Sequence, residues 1–239
     1  MSSSSGTKLR ILCLHGMVQN GAVFRKKTAV LRKKLEKIAD MVYVTGPHVI
    51  DDPKYTSEAH RAAAADPEAP EELKPYGWWF PVSSNPNTAE GYYAGFKESI
   101  EHVKKILIEQ GPFDGVFGFS QGACLAAVMA SLLENRDLMP SLVPAEFKHP
   151  AFRFAVISAG FKPDSQDATR ALFQEKIKTP SFHMVGEADT LIVPERMLAL
   201  AEAFQDPVLF KHPGGHLVPT NAASRNELLA FVSKFTVDN

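Results

Sequence analysis

The chain has 239 residues, 45% of them hydrophobic and 22% charged, a globular composition with enough apolar material for a sizeable core in one domain. Twenty-six basic residues against 27 acidic ones leave a net charge of −1, and no basic stripe points to a nucleic acid. The polar N-terminus MSSSSGTKLR has no signal-type apolar core, and no run approaches the roughly 18 apolar residues that span a bilayer.

A soluble protein is expected, in the cytoplasm or also in the nucleus. Cys13 and Cys124 both lie in apolar runs and read as core thiols, not as a disulfide framework or a CxxC metal site. In chain order, RILCL (10–14) and MVYVT (41–45) predict buried strands. Between them, residues 23–38 place Phe24, Leu31, Leu35 and Ile38 on one helical face. The clusters Arg25-Lys26-Lys27 and Arg32-Lys33-Lys34 fall on the wet side of that same helix.

A long segment, 46–88, rich in Pro, Asp, Glu and Ala, breaks the pattern and contains PYGWWFP (75–81). It reads as an excursion over the top of the fold, since long ordered loops in compact domains usually serve function. A helix over 89–111, stopped by Gly111-Pro112, precedes strand 115–119 and a helix over 121–134. Strand 153–160, a weak helix 168–177, strand 181–186, helix 195–205 opened by Pro194, strand 207–212 and helix 221–235 follow. Strands that are apolar throughout, alternating with helices, predict an α/β fold with a mostly parallel sheet covered on both faces. Ligands of such sheets bind beyond the carboxyl ends of the strands.

Gly118-Phe119-Ser120-Gln121-Gly122 stands where a strand turns into a helix, the context in which G-x-S-x-G forms a nucleophile elbow. Gly118 and Gly122 are structural: the turn is too tight for side chains there. The pentapeptide alone also fits an ordinary small-residue turn, so the serine needs partners. In hydrolases of this topology the order is Ser, then Asp or Glu, then His. Asp189, in VGEADTLIVP, and His216, in HPGGHLVP, follow later strands in that order, with Glu187 the rival acid. Of the other downstream histidines, His183 is expected in the core, His212 within its strand, and His149 simply exposed.

Ser120 would then attack a carbonyl, His216 would carry the proton, and Asp189 would orient the imidazole. The backbone N–H groups of Gln121 and Met17 are the expected oxyanion donors, with His15 bracing the Met17 loop. A metal is not expected: HExxH is absent, and Pro-Gly-Gly between His212 and His216 keeps them off a shared helix. No cofactor is implied.

With LHGMVQN, GWWF, GPFDGVFGFSQGA, VGEADTLIVP and HPGGHLVP in place, the chain resembles the FSH family of serine hydrolases. Within that family it is most similar to the esterases of the ovarian-cancer-associated type, over about residues 9–235. The resemblance implies an α/β-hydrolase core without a large separate lid, residues 1–239 as a single domain, and carboxylesterase or thioesterase activity. It carries Ser120, Asp189 and His216 onto the triad positions, and Met17 and Gln121 onto the oxyanion hole. Residues 51–74 are where length and composition vary within the family, which leaves the pocket wall open.

For the pocket, Trp78, Trp79 and Phe80 form the densest aromatic group; one tryptophan is expected in the core and the other along an acyl groove. Val18 and Leu217 add apolar wall beside the catalytic positions. With no Arg or Lys adjoining the triad motifs, a neutral small-molecule ester or thioester with an apolar acyl chain is the expected substrate. An acyl-protein thioesterase and a non-catalytic binding module on the same fold are the alternatives. The sequence leaves the oligomeric state, monomer or dimer, open.

Overall fold

The structure, a computed structural model, describes residues 7–80, 94–163 and 167–236. Six parallel strands form one sheet in the order β2-β1-β5-β6-β7-β8. They are β1 (Leu9–Leu14), β2 (Ala39–Val44), β5 (Gly115–Phe119), β6 (Phe154–Ser158), β7 (Ser181–Gly186) and β8 (Val208–His212). The inner strands β5, β6 and β7 are buried at every residue, whereas the outermost strands β2 and β8 are only partly covered. A strand walled by helices on both faces needs apolar side chains on both, so the unbroken apolar runs mark the middle of the sheet.

On one face lie α4 (Phe96–Gln110) and α5 (Gln121–Glu134), which with the sheet enclose Ile100, Val103, Leu125, Val128 and Ile157. On the other lie α1 (Gly21–Lys27), α2 (Ala29–Leu35) and α8 (Ala222–Ser233), packing Phe24, Leu31, Leu35, Leu228 and Phe231 against Phe117 and Phe154. Helix α7 (Pro194–Ala201) sends Met197 to one layer and Leu200 to the other. Cys13 and Cys124 are buried thiols with no disulfide between them, one in each layer. Burial pushes the Cys13 thiol up, so it stays protonated and behaves as a small hydrophobe.

Three departures from the sequence reading are found. The helix expected over 23–38 is two, because Thr28 leaves helical geometry at φ −100° and ψ 12° while its hydroxyl bonds Phe24 O and Tyr43 Oη. A β-branched hydroxyl that back-bonds its own helix bends it. The excursion is not irregular throughout: β3 (His48–Val49) pairs antiparallel with β4 (Tyr76–Gly77), and α3 (Glu58–Ala65) is capped by Ser57 and His60. Strands of two residues carry no periodicity to read. Around 168–177 only the short α6 (Asp167–Arg170) and a 3₁₀ turn at Ala171–Phe173 form.

His149, expected to be exposed, is buried. Its Nε2 accepts the Phe113 N–H at 2.9 Å and its Nδ1–H donates to Pro150 O at 2.8 Å. Arg136 holds the His149 carbonyl from the far side. Burial lowers its pKa, so the ring is a neutral peg that anchors the turn leading into β5. Part of the excursion (81–88) and the start of the helix expected from 89 lie outside the described residues.

Candidate active site

Ser120 sits one residue past β5 at φ 53° and ψ −117°, a conformation that costs a non-glycine residue about 1–3 kcal/mol. The surroundings hold it there. Its N–H donates to Ser158 O at 2.9 Å, and its carbonyl accepts from Ala123 and Cys124 as α5 begins. A Cβ on Gly118 would stand 2.3 Å from Gly122 O, and one on Gly122 would stand 2.3 Å from Leu14 O. Both are closer than real Cβ contacts permit, so the two glycines are steric requirements of the elbow.

Beyond β7 the chain turns so that Asp189 is buried, its Oδ1 accepting the N–H groups of Leu191 at 2.9 Å and Ile192 at 3.0 Å. Oδ2 is left to face His216 Nδ1 at 2.7 Å. His216 Nε2 lies 2.9 Å from Ser120 Oγ. Because a carboxylate only accepts, Nδ1 carries the proton toward Asp189 and Nε2 offers its lone pair to the serine O–H. The Phe119 ring, 4.9 Å from the imidazole between centroids, packs beside it. The loops after β7 and β8 are tied together by Glu187 N–H to His212 O at 2.8 Å and Ala188 N–H to Gly214 O at 3.2 Å. Glu187 itself is exposed, and the carboxylate that His216 Nδ1 meets is that of Asp189. The three side chains, far apart in sequence, form one continuous Ser–His–Asp relay.

The loop after β1 lies on the other side of the elbow. His15 is fully buried, its Nε2 accepting the Gly46 N–H at 2.8 Å and its Nδ1–H donating to Gly16 O at 2.7 Å. Burial lowers its pKa to about 4, so the ring is neutral, and with both nitrogens bonded to backbone it braces the loop. Val18, half-buried, has φ 60°, a conformation rare for a β-branched residue. Among the described residues, the N–H groups of Met17 and Gln121 have no acceptor inside the protein. His183 lies in β7 with Nε2 3.0 Å from Ser181 Oγ, and burial lowers its pKa to about 3. His212 is buried at the end of β8, where its Nδ1 accepts the Gly214 N–H at 3.2 Å.

The aromatic group differs from expectation. Trp78 and Trp79 are both buried, although neighbours in an extended segment were expected to face opposite ways, one of them into a groove. The segment is covered on both sides. Trp78 packs on His15 with 5.1 Å between ring centroids, and Trp79 meets Phe96 of α4 edge-on at 5.5 Å. Phe80, 40% exposed, lies against His48, and Leu217 is 46% exposed beside His216. Leu191 and Val193, beyond Asp189, are exposed as well and were not singled out from sequence. The side chain of Gln121 was also missed: it accepts the Trp78 N–H at 2.7 Å and donates to Trp79 O at 2.9 Å. Only its backbone was legible, because nothing in GFSQG tells which loop the amide will meet.

Fold and relay together define an α/β-hydrolase with a serine nucleophile. Residues 1–228 match the family described as serine hydrolase (FSH1), and the chain belongs to that family. It is 34% identical to the human esterase OVCA2 over 235 residues, covering 95% of this chain and 96% of that one. It is 35% identical to the Danio rerio esterase OVCA2 over 239 residues, covering 97% and 99%. A Schizosaccharomyces pombe protein named dihydrofolate reductase is 36% identical over 228 residues, and the chain spans 47% of that longer protein's length. Among solved structures, Zea mays acyl-protein thioesterase 2 superposes with a TM-score of 0.62 over 99% of this chain and 97% of that one. At 17% identity, that likeness shows the shared fold. No helix among the described residues is long and apolar enough to cross a membrane.

Proposed function

We propose that this serine hydrolase cleaves neutral carboxylic esters or thioesters with an apolar acyl chain, through an acyl-enzyme on Ser120. The observation that carries the reading is the unbroken relay from Asp189 through His216 to Ser120 at 2.7 and 2.9 Å. Ser120 Oγ attacks the carbonyl carbon while its proton passes to His216 Nε2. The tetrahedral oxyanion takes the free N–H groups of Met17 and Gln121, and the alcohol or thiol leaves with the proton from His216. Water, deprotonated by the same imidazole, then frees the acid and restores Ser120. Asp189 holds the tautomer and stabilises the imidazolium; its second oxygen, fixed by two backbone N–H groups, keeps the carboxylate from rotating.

The apolar acyl preference is supported by the exposed side chains around the triad. Leu191, Val193 and Leu217, near Asp189 and His216 in the chain, are exposed, and Phe80 adds an exposed ring. Medium-to-long linear chains are the expected best substrates. Residues 1–239 are taken as one domain, and two buried thiols suit a reducing compartment such as the cytoplasm.

Rates over p-nitrophenyl esters from two to sixteen carbons, with Ser120→Ala alongside, test the reading. Hydrolysis that Ser120→Ala removes, rising toward the longer esters, is expected. A profile peaking at acetate would overturn the chain-length part. Absence of both hydrolysis and fluorophosphonate labelling would overturn the whole.

A further inference from the structure

The segment 76–79 spends its polar groups on both sides of the elbow. Toward the loop after β1, Tyr76 exchanges backbone hydrogen bonds with Gln19, at 2.9 and 3.3 Å, and the Trp78 indole N–H donates to His15 O at 2.8 Å. Toward the start of α5, the Gln121 side chain grips the same strap through the Trp78 N–H at 2.7 Å and Trp79 O at 2.9 Å. From α4, the Ser99 hydroxyl donates to Trp78 O. Trp78, His15 and Gln121 are all buried. A buried amide whose oxygen and nitrogen both have partners has one orientation, since losing either bond strands a polar group away from water.

The two elements so joined contain the Met17 and Gln121 N–H groups, which find no acceptor among the described residues. Pairing of β1 with β5 ends at Leu14 and Gly118, before either donor is reached, so the ladder does not set their separation. We propose that the Gln121 side chain and the Trp78 indole are positioning residues that fix the spacing and aim of the Met17 and Gln121 N–H groups. This rests on reading those groups as the oxyanion hole. Such donors help only where charge develops and only if already in place. Loosening the strap therefore weakens the transition state more than the bound ester, and the loss falls on kcat rather than KM.

Gln121→Glu tests the idea with little change of shape: the backbone N–H and the acceptor for Trp78 N–H remain, but an oxygen replaces the donor facing Trp79 O. Per active site titrated with a fluorophosphonate, kcat is expected to fall by about 10- to 50-fold with KM within about twofold, less than the roughly 10²–10³-fold cost of deleting a donor outright. An alkyl boronic acid, whose tetrahedral adduct on Ser120 bears negative charge, should bind more weakly by a similar factor. The ratio of variant to wild-type kcat should rise as pH falls, because the protonated carboxyl regains a donor for Trp79 O. Trp78→Phe, which keeps a ring but removes the indole N–H, repeats the test from the other end should the first variant fail to fold. Wild-type kcat in the folded variant, or a ratio flat in pH, would overturn the positioning role. No fluorophosphonate labelling of the wild type would instead overturn the serine reading on which it rests.

Discussion

The Ser120–His216–Asp189 side of the site and the Met17–Gln121 side differ in what holds them. Each triad residue lies a short way beyond a strand of one parallel sheet, and β5, β6, β7 and β8 are consecutive neighbours in it. Their spacing follows from sheet geometry, with strands about 4.8 Å apart, and from two backbone bonds between the last two loops. The Met17–Gln121 side, the proposed oxyanion hole, instead depends on contacts between loops: His15 to Gly46, Gln19 to Tyr76, Trp78 to His15 and Gln121. The relay is thus inherited from the fold, while the proposed hole would be assembled from pieces brought together by a long excursion. Damage to the first should show mainly in chemistry, and damage to the second in geometry, stability and pH tolerance.

The comparison breaks most sharply at Asp189. Asp189→Asn keeps the bonds from Leu191 and Ile192 to Oδ1 but favours the wrong imidazole tautomer, so kcat should fall by about 10³–10⁴-fold with unfolding unchanged within about 1 kcal/mol. Steady-state rates with urea titration check both halves. An equal loss of stability would mean that the acid is a structural member and not an orienting one.

Gly122→Ala strikes where the two sides meet, since its Cβ would lie 2.3 Å from Leu14 O and 2.4 Å from His15 O. Backbone must move, and a loss above about 3 kcal/mol in urea unfolding, or failure to fold, is expected. A variant of wild-type stability would show that the elbow and the loop after β1 are less rigidly apposed than the packing requires.

Acid should separate the braces from the relay. Burial holds His15 near a pKa of about 4 and His183 near about 3, below the ordinary 6.5. The unfolded chain then binds more protons than the folded one below about pH 6.5, so stability is full above that value and falls as pH drops toward 4. For His15 the loss amounts to about 3 kcal/mol. Urea midpoints from pH 8 to 4.5 should show this slope, and His183→Gln, which retains a partner for Ser181, should flatten it. Midpoints independent of pH would mean the two rings are not held neutral in the folded state.

Leu217→Ser should do least. At 46% exposure it contributes little to the core, so stability should change by less than about 0.5 kcal/mol. KM for long acyl esters should rise a few-fold relative to acetate. Equal effects on both esters would remove Leu217 from the acyl surface.

The elements that sequence made legible are those with their own period or punctuation. Strands β5 and β7 and helix α5 match their expected bounds, because an unbroken apolar run and a Gly-x-Ser-x-Gly turn announce them. The split at Thr28, the two-residue strands β3 and β4 and the burial of His149 were not legible, since each depends on a distant partner: Tyr43, the opposite short strand, or Phe113. So did the double burial of Trp78 and Trp79, which takes α4 on one side and the His15 loop on the other.

What the sequence alone determined, then, is the parallel α/β core and the order in which serine, acid and histidine reach its edge. Strand-to-helix turns and short loops after strands are local events, and a parallel sheet converts their order into proximity. Only the tertiary structure decided that Asp189 gives one oxygen to two backbone N–H groups and the other to His216, and that the Gln121 amide closes on the tryptophan strap. A side chain's hydrogen-bond partner depends on which buried polar group happens to face it. That is settled by how the loops pack, not by any pattern along the chain.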